Sequence, residues 1–255
     1  MSEFSARIVS NQLLANSSTR VLEVERPATC DYAILPGAGA VLSSHNSSEV
    51  ERAYSFANAP DAPYWRFYIR HIEGGSFCET IAKKKLGEEL CIREFFYFFS
   101  LGSKQNQENQ EEQESYFFAT GTGIAPFLCA LTAKDSPFKL NPPKAIFYGA
   151  RTSGDLLELE TIKACTHFKS HYHFYVSRET PLCGMTHGRI SDALASPHLI
   201  ASIISPRARY YIAGLDQMVS EVSNRLIALG AHYSQISSEL FYGQTASESI
   251  HPSLK

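Results

Sequence analysis

The sequence predicts two unlike halves: an antiparallel β-barrel or sandwich over residues 1–101, then an α/β unit with a parallel sheet and helices on both faces over 116–243. Three observations predict it. Short alternating segments recur at intervals of roughly ten residues through the first half, each bounded by turn residues. The second half changes to a strand–helix–strand alternation, the order that builds a parallel sheet. Between them the composition shifts abruptly to GSKQNQENQEEQES at 102–115, which has no apolar residue, cannot pack, and reads as a flexible linker or exposed loop.

In chain order, Ala6 to Glu25 alternates in pieces around an Asn16-Ser17-Ser18 turn and reads as a hairpin. Pro36-Gly37 breaks the next segment before Val41-Leu42. Arg52–Phe56 and Trp65–Ile72 follow as strands, the second setting Trp65, Phe67 and Ile69 against Arg66, Tyr68 and Arg70. A short helix is expected over Thr80–Leu86 and a last aromatic-rich strand over Leu90–Phe99. Beyond the polar run, strands are expected at 116–120, 145–149, 172–177 and 209–213, helices at 124–133, 155–165, 189–195 and 216–229, and an extended piece at 236–242. The tail, 244–255, has no periodicity and is expected to be disordered.

Composition excludes several classes. With 44% apolar and 12% aromatic residues the chain can bury an ordinary core, while a net charge of −3 lacks the basic face that general nucleic-acid binding needs. The six cysteines sit singly, without the close grouping of a zinc or iron–sulfur site, so no metal is expected and the thiols read as reduced ones in a cytoplasmic protein. The N-terminus has neither a basic start nor an apolar core, and the mainly aliphatic run from Leu199 to Ile204 is about a third of a membrane span. A protein without membrane contact is expected.

Chemistry-bearing residues fall in two places. In Ser115–Ala133 a short apolar run leads into Gly121-Thr122-Gly123 and then a helical pattern of Ile124, Phe127, Leu128 and Leu131. Glycines there let backbone N–H groups approach a phosphate or flat ring, and the helix start behind them favours negative charge. A plain tight βα turn leaves the same trace, and Pro126 stands where the dinucleotide fingerprint wants its third glycine. In the first half, Arg52-Ala53-Tyr54-Ser55 offers a guanidinium fork for a pyrophosphate, a ring face for a heterocycle and a hydroxyl for a ring nitrogen; an edge strand with an exposed arginine and a packed tyrosine would look alike.

Those motifs, with Gly74-Gly75, Gly214-Leu215-Asp216-Gln217-Met218 and Glu239-Leu240-Phe241-Tyr242, in this order and at these separations over residues 6–243, resemble the ferredoxin–NADP reductase family. The resemblance implies a six-stranded antiparallel barrel that binds FAD and a doubly wound domain that binds NADPH, divided at 102–115. It makes Arg52 a ligand of the flavin pyrophosphate, Tyr54 the ring packed on the isoalloxazine and Ser55 the partner of its N5, with Ser55, Tyr54 and Glu239 as catalytic residues. Ala53, Tyr68, Ile69, Gly74, Gly75, Ser76, Phe77, Cys78, Thr122 and Tyr242 would complete the FAD site, and Phe241 would cover the second flavin face. The NADP site would comprise Gly121, Thr122, Gly123, Arg151, Ser177, Arg178, Arg189, Ala213, Gly214, Asp216, Gln217 and Met218. Cys78 replaces the usual Ser or Thr, Ala213 a frequent cysteine, and Pro36-Gly37-Ala38-Gly39-Ala40 lacks a frequent Gln-aromatic pair.

The activity so implied is hydride transfer from NADPH to FAD and single-electron transfer to a separate ferredoxin or flavodoxin, by a monomer. Arg66, Arg70, Lys83, Lys84, Lys85 and Arg93 either form a docking surface for an acidic carrier or are solvated, which is the expectation for the lysines. An NAD(P)H:flavin reductase, a reductase serving an oxygenase through a separate iron–sulfur protein, and a non-catalytic module on a degenerate scaffold are the alternatives.

Overall fold

The computed structural model describes residues 3–30, 34–44, 50–97, 113–167 and 169–241. In the first half β1 (Glu3–Leu13), β2 (Thr19–Glu25), β3 (Ala38–Ser44), β4 (Glu51–Ser55), β5 (Tyr64–Arg70) and β6 (Glu89–Tyr97) form a six-stranded sheet in the order β4-β3-β6-β1-β2-β5. Every pairing in it is antiparallel. An antiparallel bridge between Phe56 and Phe67 joins the two outer strands and closes the barrel. Alternation decides which residues enter: Phe4, Ala6 and Ile8 of β1 are buried while their neighbours face outward, and Leu22, Val24, Leu42, Trp65, Phe67, Ile69, Leu90 and Ile92 fill the interior. Each such aliphatic or aromatic side chain contributes about 1.5–3 kcal/mol by leaving water.

The helix expected at Thr80–Leu86 lies earlier, as α1 (Ser76–Lys83). Gly74, at φ +74°, turns the chain out of β5, and Phe77, Cys78 and Ile81 then lie on the face turned to the barrel. Lys84 has already left helical geometry.

In the second half β7 (Glu114–Thr120), β8 (Ala145–Ala150), β9 (His171–Val176), β10 (Met185–His187), β11 (Ala208–Leu215) and β12 (Ile236–Phe241) form a wholly parallel sheet in the order β10-β9-β8-β7-β11-β12. Helices α2 (Ala125–Thr132), α3 (Leu159–Cys165), α4 (Ile190–Ala193), α5 (Pro197–Ile203) and α6 (Asp216–Ala228) cover it. Side chains of β7 separate by parity: Phe117 and Ala119 pack with Phe127, Leu128 and Ile162 on one face, Tyr116 and Phe118 with Ile190, Val222 and Leu226 on the other.

Several expected boundaries move. Glu114 and Ser115 already belong to β7, so the polar run yields to strand earlier than its composition indicates. The helix expected from 155 begins at Leu159, because Leu156 and Leu157 are buried in extended chain and Glu158 is left-handed. The one expected at 189–195 is reduced to α4, and β10 and α5 had no counterpart among the expectations. The tail expectation at 244–255 falls outside the described residues.

The halves share their apolar interior. Tyr68 and Ala57 of the barrel belong to the cluster around Phe117 and Tyr148, with Leu14 and Val21 packed on it, while Cys129 of α2 lies in the barrel cluster.

Candidate functional site

The order of the parallel sheet reverses between β7 and β11. From β7 the chain proceeds outward through β8, β9 and β10, then returns to the other side for β11 and β12. The crossovers on either side diverge, and a crevice opens at the carboxyl ends of the two strands, at Thr120 and Leu215. These ends are tied by the Leu215 N–H, which donates to Thr120 Oγ1 at 3.4 Å. Gly123 permits the close approach: a Cβ there would stand 2.3 Å from the Ala213 carbonyl oxygen. Pro126 sits in the first turn of α2, where the missing N–H is harmless.

The barrel faces this crevice and a cavity of about 1110 Å3 lies between the halves. Its barrel wall carries Arg52, Ala53, Tyr54, Ser55, Tyr68, Gly74, Gly75, Ser76, Phe77 and Cys78; its α/β wall carries Gly121, Thr122, Arg151, Ser177, Arg178, Arg189, Gln217, Met218, Glu239 and Phe241. Most of the residues read from the sequence are therefore brought together, from segments almost two hundred residues apart.

On its wall Ser55 Oγ donates to Glu239 Oε1, one residue from each half. Glu239 is 3% exposed, and its Oε2 is buried without a partner among the described residues. Burial raises the carboxyl to about 8, against a smaller lowering by the Ser55 hydrogen bond. Burial therefore favours the neutral carboxyl near neutral pH. Beside this pair the Tyr54 ring lies 5.3 Å from that of Phe77, and burial holds its phenol above the ordinary value.

Below Tyr54, Gly39 pairs with Ser55 across the ladder, and a Cβ on it would meet the Phe96 ring at 2.3 Å. The small residues of the 36–40 segment thus make room for Phe96, which also lines the cavity. Sequence reading had not marked Phe96.

The turn before α1 differs from expectation in detail. The Gly74 N–H donates to Glu79 Oε1 at 3.0 Å and the Gly75 N–H to the Ile72 carbonyl at 2.9 Å, so both are occupied. The donors left for an anion are the first-turn amides of α1, at Ser76, Phe77 and Cys78, which lack a carbonyl one turn earlier. The Cys78 thiol is turned into the loop, donating to the Ile72 carbonyl at 3.0 Å, so it braces the turn.

Cations converge where β5, β8 and β9 end. Arg70, Arg151 and Arg178 line the cavity with no ion-pair partner among the described residues. Burial, then Arg151 and Arg178, hold the Arg70 guanidinium below its ordinary value despite a counteracting Asp155. That carboxylate is spent on Ser17 Oγ at 2.7 Å, the Ser18 N–H at 3.1 Å and Thr152 Oγ1 at 3.1 Å. Arg70 is half-buried and Arg151 and Arg178 are exposed, and three guanidiniums gathered without an ion-pair partner among the described residues are suited to a phosphate. Glu179, adjacent to Arg178, accepts the Ser153 N–H. Arg189 lies 3.8 Å from Glu221, which Gln217 also holds.

The cation set read from the first half divides accordingly. Arg70 belongs to the cavity, Arg66 is held by Glu23 and Glu158, and Arg93 by Glu3 and Glu51, so those arginines do not form a free docking surface. Among the expected ligands, Ile69 points into the barrel core, and Gly123 and Ala213 pack behind the wall, Ala213 being fully buried. Gly214 (φ +150°) is wedged against Thr120 Oγ1, and Asp216 is exposed beyond the wall at the start of α6. Tyr242 lies outside the described residues.

An orphaned buried carboxyl oxygen, flanking aromatic rings and clustered guanidiniums fit a planar heterocycle with polar edge atoms and polyphosphate chains on either side. Among the described residues no group of three or more His, Cys, Asp or Glu is placed to hold a metal ion, and no helix is long and apolar enough to cross a membrane.

A family model described as the oxidoreductase NAD-binding domain matches residues 117–224. The flavodoxin/ferredoxin–NADP reductase of Escherichia coli (strain K12) is 30% identical over 185 residues, covering 69% of this chain and 71% of that protein. The reductase of the same name from Buchnera aphidicola subsp. Baizongia pistaciae is 27% identical over 190 residues, covering 71% and 74%. Among solved structures, a ferredoxin NADP+ reductase from Neisseria gonorrhoeae with bound FAD and NADP superposes with a TM-score of 0.77 at 18% identity, over 93% of this chain and 98% of that one. The Amycolatopsis cytochrome P450 reductase GcoB gives 0.79 at 18% identity, over 95% and 70%. These two share the fold, an antiparallel sheet followed by a parallel α/β sheet.

Proposed function

The chain belongs to the ferredoxin/flavodoxin–NADP reductase family and is an NAD(P)-dependent flavin oxidoreductase, and from that premise we propose that it holds FAD, oxidises NADPH and passes single electrons to a separate ferredoxin or flavodoxin in the cytoplasm. In this reading residues 3–97 form the flavin domain and 114–241 the nucleotide domain. Bound FAD supplies the conversion between a two-electron donor and one-electron carriers.

The chain's own residues bind, orient and exclude water. Tyr54 and Phe241 offer ring faces from opposite halves, and Arg52 with the first-turn amides of α1 takes the flavin pyrophosphate. Ser55 and Glu239, hydrogen-bonded to one another, stand beside the polar edge of the ring. Gly121 and Thr122 at the switch of the sheet leave room for a second ring, so two flat groups are stacked by position alone, as hydride transfer requires. Arg70, Arg151, Ser177, Arg178 and Arg189 form the phosphate end. NADPH is favoured over NADH because that end presents several guanidiniums and a hydroxyl, while the adjacent Glu179 carboxylate is engaged with Ser153.

The observation that carries the reading is the Ser55–Glu239 contact, in which both halves supply one polar pair to the wall of one cavity. Purified protein is expected to be yellow. Anaerobic NADPH should bleach the flavin band faster than NADH, and added ferredoxin or flavodoxin should restore it. Colourless protein that turns over only with added riboflavin would convert the reading to a flavin reductase, and a flavin band untouched by NADPH would leave a binding module.

A further inference from the structure

We infer that Glu158 is a positioning residue: its carboxylate, carried by the nucleotide half, grips Arg66 and Tyr68 of the barrel and so sets the angle at which the two halves face one another across the cavity. The inference rests on the function proposed above, since the angle matters only if two flat groups must be stacked there.

Glu158 has φ +56°, a left-handed conformation that is uncommon for a residue with a long side chain and costs of order 1 kcal/mol or more. It stands immediately before α3 yet its side chain makes no capping bond to that helix's backbone. Its carboxylate is directed to the other half. Oε1 accepts from Arg66 Nη1 at 2.9 Å and from the Tyr68 hydroxyl at 3.1 Å, while Oε2 is anchored by Thr161 Oγ1 at 2.6 Å.

The barrel side of the grip is equally fixed. Arg66 Nε donates to Glu23 Oε1 at 2.8 Å, so one guanidinium bridges a carboxylate of each half. The pair is partly desolvated, with the Arg66 side chain 24% and the Glu158 side chain 31% exposed, which strengthens it relative to an exposed pair. Tyr68 converts the grip into a constraint on the cavity. Its ring is 4% exposed in the apolar seam with Phe117 and Tyr148, and it also lines the cavity wall.

A second contact turns a point into an angle. Asp155 receives Ser17 and Ser18 of the β1–β2 turn, and Gly154 approaches Asn16 so closely that a Cβ would lie 2.3 Å from its carbonyl oxygen. The second contact and the shared apolar seam around Tyr68 together oppose rotation about the first. Of the two carboxylates, Glu158 is the one that holds a cavity-wall side chain directly.

The test compares wild type with Glu158→Gln and Tyr68→Phe. With wild type established as bleached by NADPH, both variants should show flavin reduction slowed about tenfold at saturating NADPH, with KM within about twofold, because only orientation is lost. Independently of activity, Glu158→Gln and Arg66→Gln should each lower Tm by about 2–4 °C and the double variant by no more than the larger of the two, the mark of a shared contact. A Tm loss without a change in reduction rate would reduce the contact to a salt bridge of stability alone, and additive Tm losses would remove it. Wild-type protein indifferent to NADPH would overturn the proposed function, while the thermal cycle would still decide whether the grip exists.

Discussion

Glu239 carries the most displaced acid on the cavity wall, and the displacement has a measurable consequence for folding. Its ordinary value is 4.5 and the fold raises it to about 8, so the native state binds a proton that the unfolded chain has released. Its contribution to stability is fully present below about 4.5 and is lost as pH rises to about 8, at about 1.4 kcal/mol per unit. Glu239→Gln cannot titrate. Without added cofactor, its Tm relative to wild type should climb between pH 5 and 8 and level off above, a trend that differential scanning calorimetry across that range reads directly; a flat difference would mean the carboxyl is ionised in the fold. At the phosphate end, Arg178→Ala should raise the KM for NADPH about tenfold or more and leave that for NADH nearly unchanged, as steady-state kinetics with both nucleotides will show. Equal losses would place Arg178 away from the 2′-phosphate. Arg52, Tyr54, Ser55 and Glu239 were legible because their chemistry is distinctive and their order in the chain is telling. Arg70 was not. Alternation correctly put Arg66, Tyr68 and Arg70 on the outer side of β5, but outside was equated with solvent, and this stretch of the barrel's outer surface is the one the second half covers.

Among the elements, the segment from β7 through Gly123 to α2 is the least tolerant of change. Gly123→Ala would drive a methyl into the Ala213 carbonyl, and neither backbone can retreat without breaking the β7–β11 ladder. The variant should lose at least about 1–3 kcal/mol in urea unfolding and bind nucleotide weakly, whereas Gly87→Ala, at φ +85° in open space, should cost stability alone. Equal nucleotide affinity in the two variants would contradict the proposed place of the switch. Long elements with strong periodicity were read with the right type, and their ends were not. The helix expected from 155 starts late because Leu156 and Leu157 serve the seam, a tertiary demand that local pattern does not display. β10, at three residues, is too short for alternation to be visible, and α5 was read only as an apolar run.

At the scale of the whole molecule the shared interior predicts a single cooperative unit. All six thiols are free, with Cys183 exposed, Cys165 half-buried, and Cys30, Cys78, Cys91 and Cys129 buried. In native buffer a thiol reagent should modify Cys183 quickly and Cys165 slowly. The remaining four should react only on unfolding, in one phase, because Cys129 of the second half is packed within the barrel. Release of the barrel thiols ahead of Cys129 would show that the halves open independently. The sequence announced two halves clearly, through the change of period and the polar run, but not that they would be joined by side chains on the outside of one and beneath a helix of the other. The wholly parallel sheet adds a practical asymmetry. All its strands point toward the cavity, so the connections at their other ends, around Leu140, Ser170, Pro206 and Tyr233, gather on the far rim, where Leu140 and Tyr233 stand 92% and 73% exposed. A dye, an electrode linker or a fused carrier protein attached along that rim would leave every group at the working mouth untouched.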